Sequence, residues 1–281
     1  MGVLFFSSLS NGLFIRDAAA QAPSQVTAPA AVTAPAHVAA HPVFIAIVID
    51  DLGNSLSEGR RVVALPGPVA CSILPHTEHG PRIANLAYAD HKEVLLHLPM
   101  QSISDMPLGA GGLTLEMTES EMRDTVTDDL ASIPHLAGMN NHEGSLITQH
   151  PGDMAWILQA LHAAGPYFYI DSYTSADSVA YQIAREQGVP TARRNVFLDD
   201  VNTEDAVRAQ WKRLLKIAKR NGFALAIGHP RSATFAVLES ELPKLVDEDV
   251  VLVAPSKIVE LQEKDPLPDM VPAAATTAIR N

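Results

Sequence analysis

What most constrains this chain is a repeated switch of hydrophobic period between residues 43 and 263. Short apolar runs at residues 44–49 (FIAIVI), 69–74 (VACSIL), 94–98 (VLLHL), 167–170 (YFYI), 189–198 (VPTARRNVFL), 224–227 (ALAI) and 250–254 (VVLVA) read as buried strands. Residues 136–139 (LAGM) are a weaker run of the same kind. Helical patterns lie between them. Thr118-x-x-Glu121 is a capping box, Met154, Ile157, Leu158 and Leu161 share helical spacing, and Ser175 or Asp177 can cap the stretch that stops at Gly188. Thr203 opens a further helix that stops at Asn221-Gly222. Apolar strands buried on both faces and alternating with helices predict an α/β fold, with a parallel sheet of seven or eight strands, open or closed into a barrel.

Composition narrows the chemistry. The 281 residues carry 32 acidic and 20 basic side chains, a net charge of -12, which argues against a nucleic-acid binder with its extended basic face. The single cysteine, Cys71, rules out an intramolecular disulfide and any multi-cysteine metal site. A bound metal must therefore be held by carboxylates and by some of the 11 histidines. Residues 1–22 are signal-like, with a short apolar run and an A-x-A pattern at Ala20-Gln21-Ala22, and imply a periplasmic or secreted protein. That run is too short and polar to span a bilayer. Residues 23–42 repeat VTAPA and form a Pro/Ala-rich spacer suited to holding a domain off a membrane or wall, and residues 264–281 are a second Pro/Ala-rich segment. A single domain is expected at 43–263.

Polar residues gather at the ends of the apolar runs. The first ends in Asp50-Asp51, the second reaches Pro75-His76, the third contains His97, and the weak run leads into Asn140-Asn141-His142-Glu143. Later runs end in Asp171-Ser172, Asp199-Asp200 and Gly228-His229-Pro230-Arg231. In parallel α/β folds these ends share one face, where active sites form. A carboxylate with two imidazoles is a common ligand set for zinc-like ions with open positions. Asp50 and Asp51 point opposite ways along an extended chain, so one can bind metal while the other acts as a base; either can also simply cap the following turn. His97 alone would read as a core histidine and His142 as a turn residue, and it is their shared placement with His229 that points to a site.

These segments resemble the divergent polysaccharide deacetylase family, a branch of the NodB-type metal-dependent carbohydrate esterases. The likeness rests on IAIVIDDLGNS (45–55), HKEVLLHLPMQ (91–101), GMNNHEGS (138–145), YFYIDSYTS (167–175) and AIGHPR (226–231). The resemblance implies a distorted (β/α) barrel of about seven parallel strands and one divalent ion, zinc or similar. It assigns the general base to Asp50 and a metal ligand to Asp51. It also implies a His-x-x-x-His pair, of which His97 matches the first member while Gln101 stands at the second. His142 is the expected substitute, giving Asp51, His97 and His142 as ligands. His229 takes the acid role, with Asp171 nearby to orient or charge it. Asn140, Asn141, Ser145, Tyr173 and Arg231 are the expected substrate contacts, and Arg193-Arg194 offers further local cations. The implied activity is removal of acetyl groups from an N-acetylated envelope polysaccharide or glycan. Two other readings stand beside it. One is an envelope protein that binds a glycan or a partner through a degenerate site. The other is a metallophosphoesterase, which Asn141-His142-Glu143 and Gly228-His229 superficially match but which lacks an Asp-x-His after the first strand. Aromatic residues make up only 5% of the chain, so a long sugar-stacking groove is not expected.

Overall fold

The computed structural model describes residues 42–104 and 106–265. The signal-like segment, the spacer up to residue 41 and the C-terminal segment from residue 266 lie outside the described residues. The strands are β1 (Val43–Leu52), β2 (Ala70–Ile73), β3 (Val94–Met100), β4 (Leu136–Glu143), β5 (Phe168–Asp171), β6 (Thr191–Arg193), β7 (Val196–Phe197), β8 (Phe223–Gly228) and β9 (Val250–Leu252). The helices are α1 (Leu56–Val63), α2 (Gly80–Ala89), α3 (Glu119–Ser132), α4 (Pro151–Ala164), α5 (Ala180–Glu186), α6 (Glu204–Asn221), α7 (Ser232–Glu241) and α8 (Pro255–Lys264). Two of the expected helix starts hold. Thr118 and Glu121 form a reciprocal capping box on α3, and the Thr203 hydroxyl caps α6.

All strand pairings are parallel, in the order β6-β5-β4-β3-β2-β1-β8-β7, with β9 beside the start of β1. The outermost strands β6 and β7 are joined by Arg194 and Asn195 alone. Three peptide steps reach no more than about 11 Å, so the sheet must curl until its edges meet. Main-chain bonds from Arg194 N–H to Asp171 O (3.0 Å) and from Asn195 N–H to Leu225 O (2.8 Å) fasten the link to both sides. The result is the expected distorted (β/α) barrel. Residues 189–198, expected as one strand, are two, because β6 pairs with β5 and β7 with β8 across the seam.

Strand parity divides the core. Ile45, Ile47, Ile49, Leu96, Leu98, Met139 and Tyr169 face outward into the large cluster beneath the helices. Ala46, Val48, Ala70, Leu95, Ile170, Leu225 and Ile227 face inward, around Ile258 and Val259 of α8. Continuing the inward set by twos leads to Asp50, Ser72, His97 and His229. The period-two geometry of parallel strands thus delivers the polar set to the barrel mouth. The weak run at 136–139 continues as strand through Glu143, because Asn140 and Asn141 are buried and hydrogen-bonded rather than solvated.

Gly138 lets β4 approach β5 closely. A Cβ there would lie 2.5 Å from Phe168 Cδ2 and 2.6 Å from the Phe168 carbonyl oxygen. Gly138→Ala is expected to cost about 1–3 kcal/mol through overpacking and to lower Tm by several degrees in a thermal melt followed by circular dichroism. An unchanged Tm would mean that β4 and β5 can separate freely.

Candidate metal centre

The β3–β4 register sets His97 opposite Asn140 and Pro99 opposite His142, bringing both imidazoles to the inner rim. Asp51 joins them from the end of β1, where its φ of 58° turns the chain out of the strand. Aspartate is among the few residues that tolerate this left-handed region. Asp51 Oδ1 lies 2.9 Å from His142 Nδ1 and 3.2 Å from His97 Nε2, and the two ring nitrogens are 3.2 Å apart. Ligands about 2.0–2.1 Å from a tetrahedral zinc lie about 3.3 Å from one another, so the three atoms already have the edge lengths of such a site. Asp51 Oδ1 is buried and forms no hydrogen bond. An orphaned carboxylate oxygen facing two imidazole nitrogens fits a divalent cation. Among the described residues, Asp51, His97 and His142 are the one cluster with this potential.

A buried amide orients the cluster. Asn140 Oδ1 accepts from His97 Nδ1 (2.9 Å) and from Ser72 Oγ (2.6 Å), which leaves the His97 Nε2 lone pair facing the cluster. Asn140 Nδ2 donates to Asp50 Oδ1 (2.9 Å), Asp50 Oδ2 (3.1 Å) and Ser172 Oγ (3.2 Å). Burial alone would raise the Asp51 pKa, but the close approach of the His142 and His97 ring nitrogens and the charges of His97 and His229 hold it far below the usual carboxylate range. Asp51 is therefore anionic at any physiological pH. For His97, burial opposes the charged form, and Asp50 and Asp51 outweigh it and raise the pKa. A cation held there would displace a proton, and its affinity would fall in acid.

His229 stands across the mouth, with Nε2 3.7 Å from Asp51 Oδ2. Its Nδ1 bonds Asp199 Oδ1 (2.9 Å), and its own main-chain N–H donates to Asp199 Oδ2 (2.7 Å). Thr234 Oγ1 donates to the same oxygen, and Arg231 Nη1 to the Asp199 carbonyl. The orienting carboxylate is thus Asp199, which corrects the expectation for Asp171. Asp199 follows β7, the neighbour of β8, whereas Asp171 ends β5 and bonds Tyr173 N–H (2.8 Å) and Ser178 Oγ (2.9 Å). Asp50, Asp51, His97, His142, His229, Arg194 and Arg231 surround one cavity of about 250 Å³.

The other expected substrate contacts are mostly engaged by the protein itself. Asn140 is fully buried in the network above, and Asn141, which lines the cavity, accepts at Oδ1 from Tyr169 Oη (3.0 Å) and Ser172 N–H (2.9 Å). Both position their neighbours. Ser145 Oγ accepts from Ile103 N–H (3.0 Å), and Tyr173 lies in the adjacent cavity with its hydroxyl donating to Ala176 O. Arg231 does line the site. Gln101 is a brace, its Oε1 accepting from Leu115 N–H (2.9 Å). The sequence reading missed the part played by Asn140 and Asp199, although Asp199 carried the same strand-end signal as the aspartates it chose.

Residues 47–259 match the divergent polysaccharide deacetylase family, and the chain belongs to it. It is 35% identical to the uncharacterized protein YibQ of Escherichia coli over 239 residues, covering 84% of this chain and 74% of that one. An uncharacterized protein of Haemophilus influenzae is 38% identical over 209 residues, 74% of each chain. The crystal structure of the uncharacterized protein ATU2773 from Agrobacterium tumefaciens shares the fold, with a TM-score of 0.74 at 21% identity over 78% of this chain and 90% of that one.

His76 is turned away from the cavity toward α3, where its Nε2 lies 2.8 Å from Asp129 Oδ1. Asp129 is fully buried and its Oδ2 has no partner among the described residues. Burial pushes this carboxyl up to about 7, against the pull of His76. The folded carboxyl therefore holds a proton that the unfolded chain releases near its ordinary 3.8, so stability falls as pH rises from about 4 to about 7. Asp129→Asn should be more stable than wild type above that window and less pH-dependent within it, measured by urea unfolding at a series of pH values. Parallel stability curves for the two proteins would refute the assignment.

Proposed function

We propose that this divergent polysaccharide deacetylase is a divalent-metal-dependent hydrolase that removes acetyl groups from an N-acetylated glycan of the cell envelope. The observation that carries the reading is the convergence of Asp51, His97 and His142 at ligand spacing, with a buried carboxylate and a carboxylate-paired imidazole at the same cavity. A zinc-like ion at these three residues would supply Lewis-acid polarisation of an acetamide carbonyl and acidify a water. Asp50, whose two carboxylate oxygens accept from Asn140 Nδ2, takes the proton of the attacking water. His229 faces the cavity through Nε2, and in its protonated form gives a proton to the departing sugar amine. Asp199 fixes the ring and raises its pKa: burial lowers it, and the Asp199 bond with the charges of Asp50, Asp199 and Asp51 more than offsets that. The cavity of about 250 Å³ is smaller than most small-molecule pockets, so it suits one acetylated sugar with the rest of the polymer outside. The signal-like residues 1–22 support an envelope location for that polymer.

Gln101 favours a second reading, a glycan-binding protein without turnover. His142 weakens that reading, because its imidazole stands at ligand distance from Asp51 and His97. The test is metal content and acetate release from N-acetylglucosamine oligomers. Wild type is expected to carry about one zinc per chain and Asp51→Asn and His142→Ala to lose it. Asp50→Asn and His229→Ala should keep the metal and lose about 10²–10⁴ in kcat. Full metal retention by both ligand variants, or no metal-dependent acetate release by wild type, would overturn the proposal.

A further inference from the structure

A second cavity, of about 620 Å³, adjoins the first and shares Thr174, Arg194 and Phe197 with it. Three guanidinium groups face it, Arg193 from the end of β6, Arg194 from the barrel seam and Arg213 from α6. Arg194 is pinned by bonds from Nε to Ser172 O (2.5 Å) and from Nη2 to Tyr173 O (2.8 Å), and packs over the Phe197 ring at 4.7 Å. Arg193 lies over the Tyr173 ring at 4.5 Å. These contacts fix direction without neutralising charge. Elsewhere Arg61, Arg123 and Arg208 each pair with a glutamate, at 2.8, 2.9 and 2.5 Å. Among the described residues, Arg193, Arg194 and Arg213 form no ion pair, although the chain has 32 acidic side chains to choose from. Burial and the charge of Arg213 oppose the charge of Arg194, while Asp171, Asp50 and Asp200 favour it without forming an ion pair; of these only Asp200 lines the cavity with the arginines. Among the described residues the Gln210 amide oxygen is buried there without a partner, and a half-turn of the amide would offer N–H donors instead.

Like charges left unpaired in an acidic protein are a cost that a bound anion removes. Planar guanidinium forks match carboxylate and phosphate oxygens two at a time. We propose that this cavity binds a carboxylate or phosphate group carried by the glycan, on a sugar next to the one whose acetamide enters the metal-site cavity. The placement on a neighbouring sugar rests on the hydrolase reading; the anion site itself does not.

The experiment compares oligosaccharides of equal length on the full chain: a neutral N-acetylglucosamine oligomer, one alternating with glucuronate, and one bearing phosphate. At least one charged form should show a kcat/KM about tenfold or more above the neutral form, with the advantage shrinking as salt is raised. Arg213→Glu, on the exposed face of α6, and Arg193→Gln should reduce that ratio by about tenfold. Calorimetric binding to Asp50→Asn protein gives the same comparison without turnover, and the tighter charged form distinguishes carboxylate from phosphate. If no oligosaccharide releases acetate, the hydrolase reading fails while calorimetry still decides the anion site. Equal binding of charged and neutral forms, or a charge preference that survives both arginine substitutions, would overturn the proposal.

Discussion

Asn140 Nδ2 bonds both oxygens of Asp50 while its Oδ1 accepts from His97 and Ser72, so one buried amide ties together residues from β1, β2, β3 and β4. Every donor and acceptor on that side chain is used. A buried polar network satisfied in this way is rigid, and one left incomplete costs about 1–3 kcal/mol for each unpaired group. The amide also has a direction. Its oxygen faces the imidazole and its nitrogen faces the carboxylate, which sets the His97 tautomer and holds Asp50 as an acceptor at once. The roles proposed for these two residues depend on that orientation.

Much of this arrangement was legible from strand periodicity. The apolar runs marked β1, β2, β3, β5, β8 and β9, and continuing each run to its end located Asp50, His97 and His229, because parallel strands share a direction and side chains alternate. What failed followed from pairing, which a single sequence does not display. Asp171 and Asp199 both end apolar runs, and only the strand order puts Asp199 beside β8 and leaves Asp171 on β5. The split of residues 189–198 has the same cause, since Arg194 and Asn195 cross the barrel seam. Asn140 and Asn141 are expected as substrate contacts because they follow a strand end, whereas here they extend the strand and their side-chain amides bond inside the protein.

Gln101, where the resemblance implies a second histidine, does not remove the candidate cation site. Gln101 follows the last residue of β3, and its side chain bonds Leu115 N–H. His142 sits on β4 opposite Pro99, one strand over at nearly the same height. Adjacent parallel strands are about 4.7–4.9 Å apart, a distance an imidazole can span. A histidine on either strand can therefore reach the same point in space, and spacing along one segment is not required to identify the ligand set.

The barrel mouth also holds backbone strain. Asp51, Glu143 and Tyr173 have φ values of 58°, 54° and 50°, each at or just past the end of a strand bordering the cavity. For residues other than glycine this conformation costs about 1–2 kcal/mol, least for aspartate. Its effect is to turn the chain sharply, so that Asp51 faces His97 and His142 and the Tyr173 carbonyl meets Arg194. Directly beneath lie strands β1, β3 and β8, most of whose apolar side chains are fully buried. That packing resists relaxation of the turns, because straightening any one of them would pull an inward-facing residue out of register. The strain is thus held at the rim by the apolar core below it, and the same core that specifies the barrel fixes the spacing of Asp51, His97 and His142.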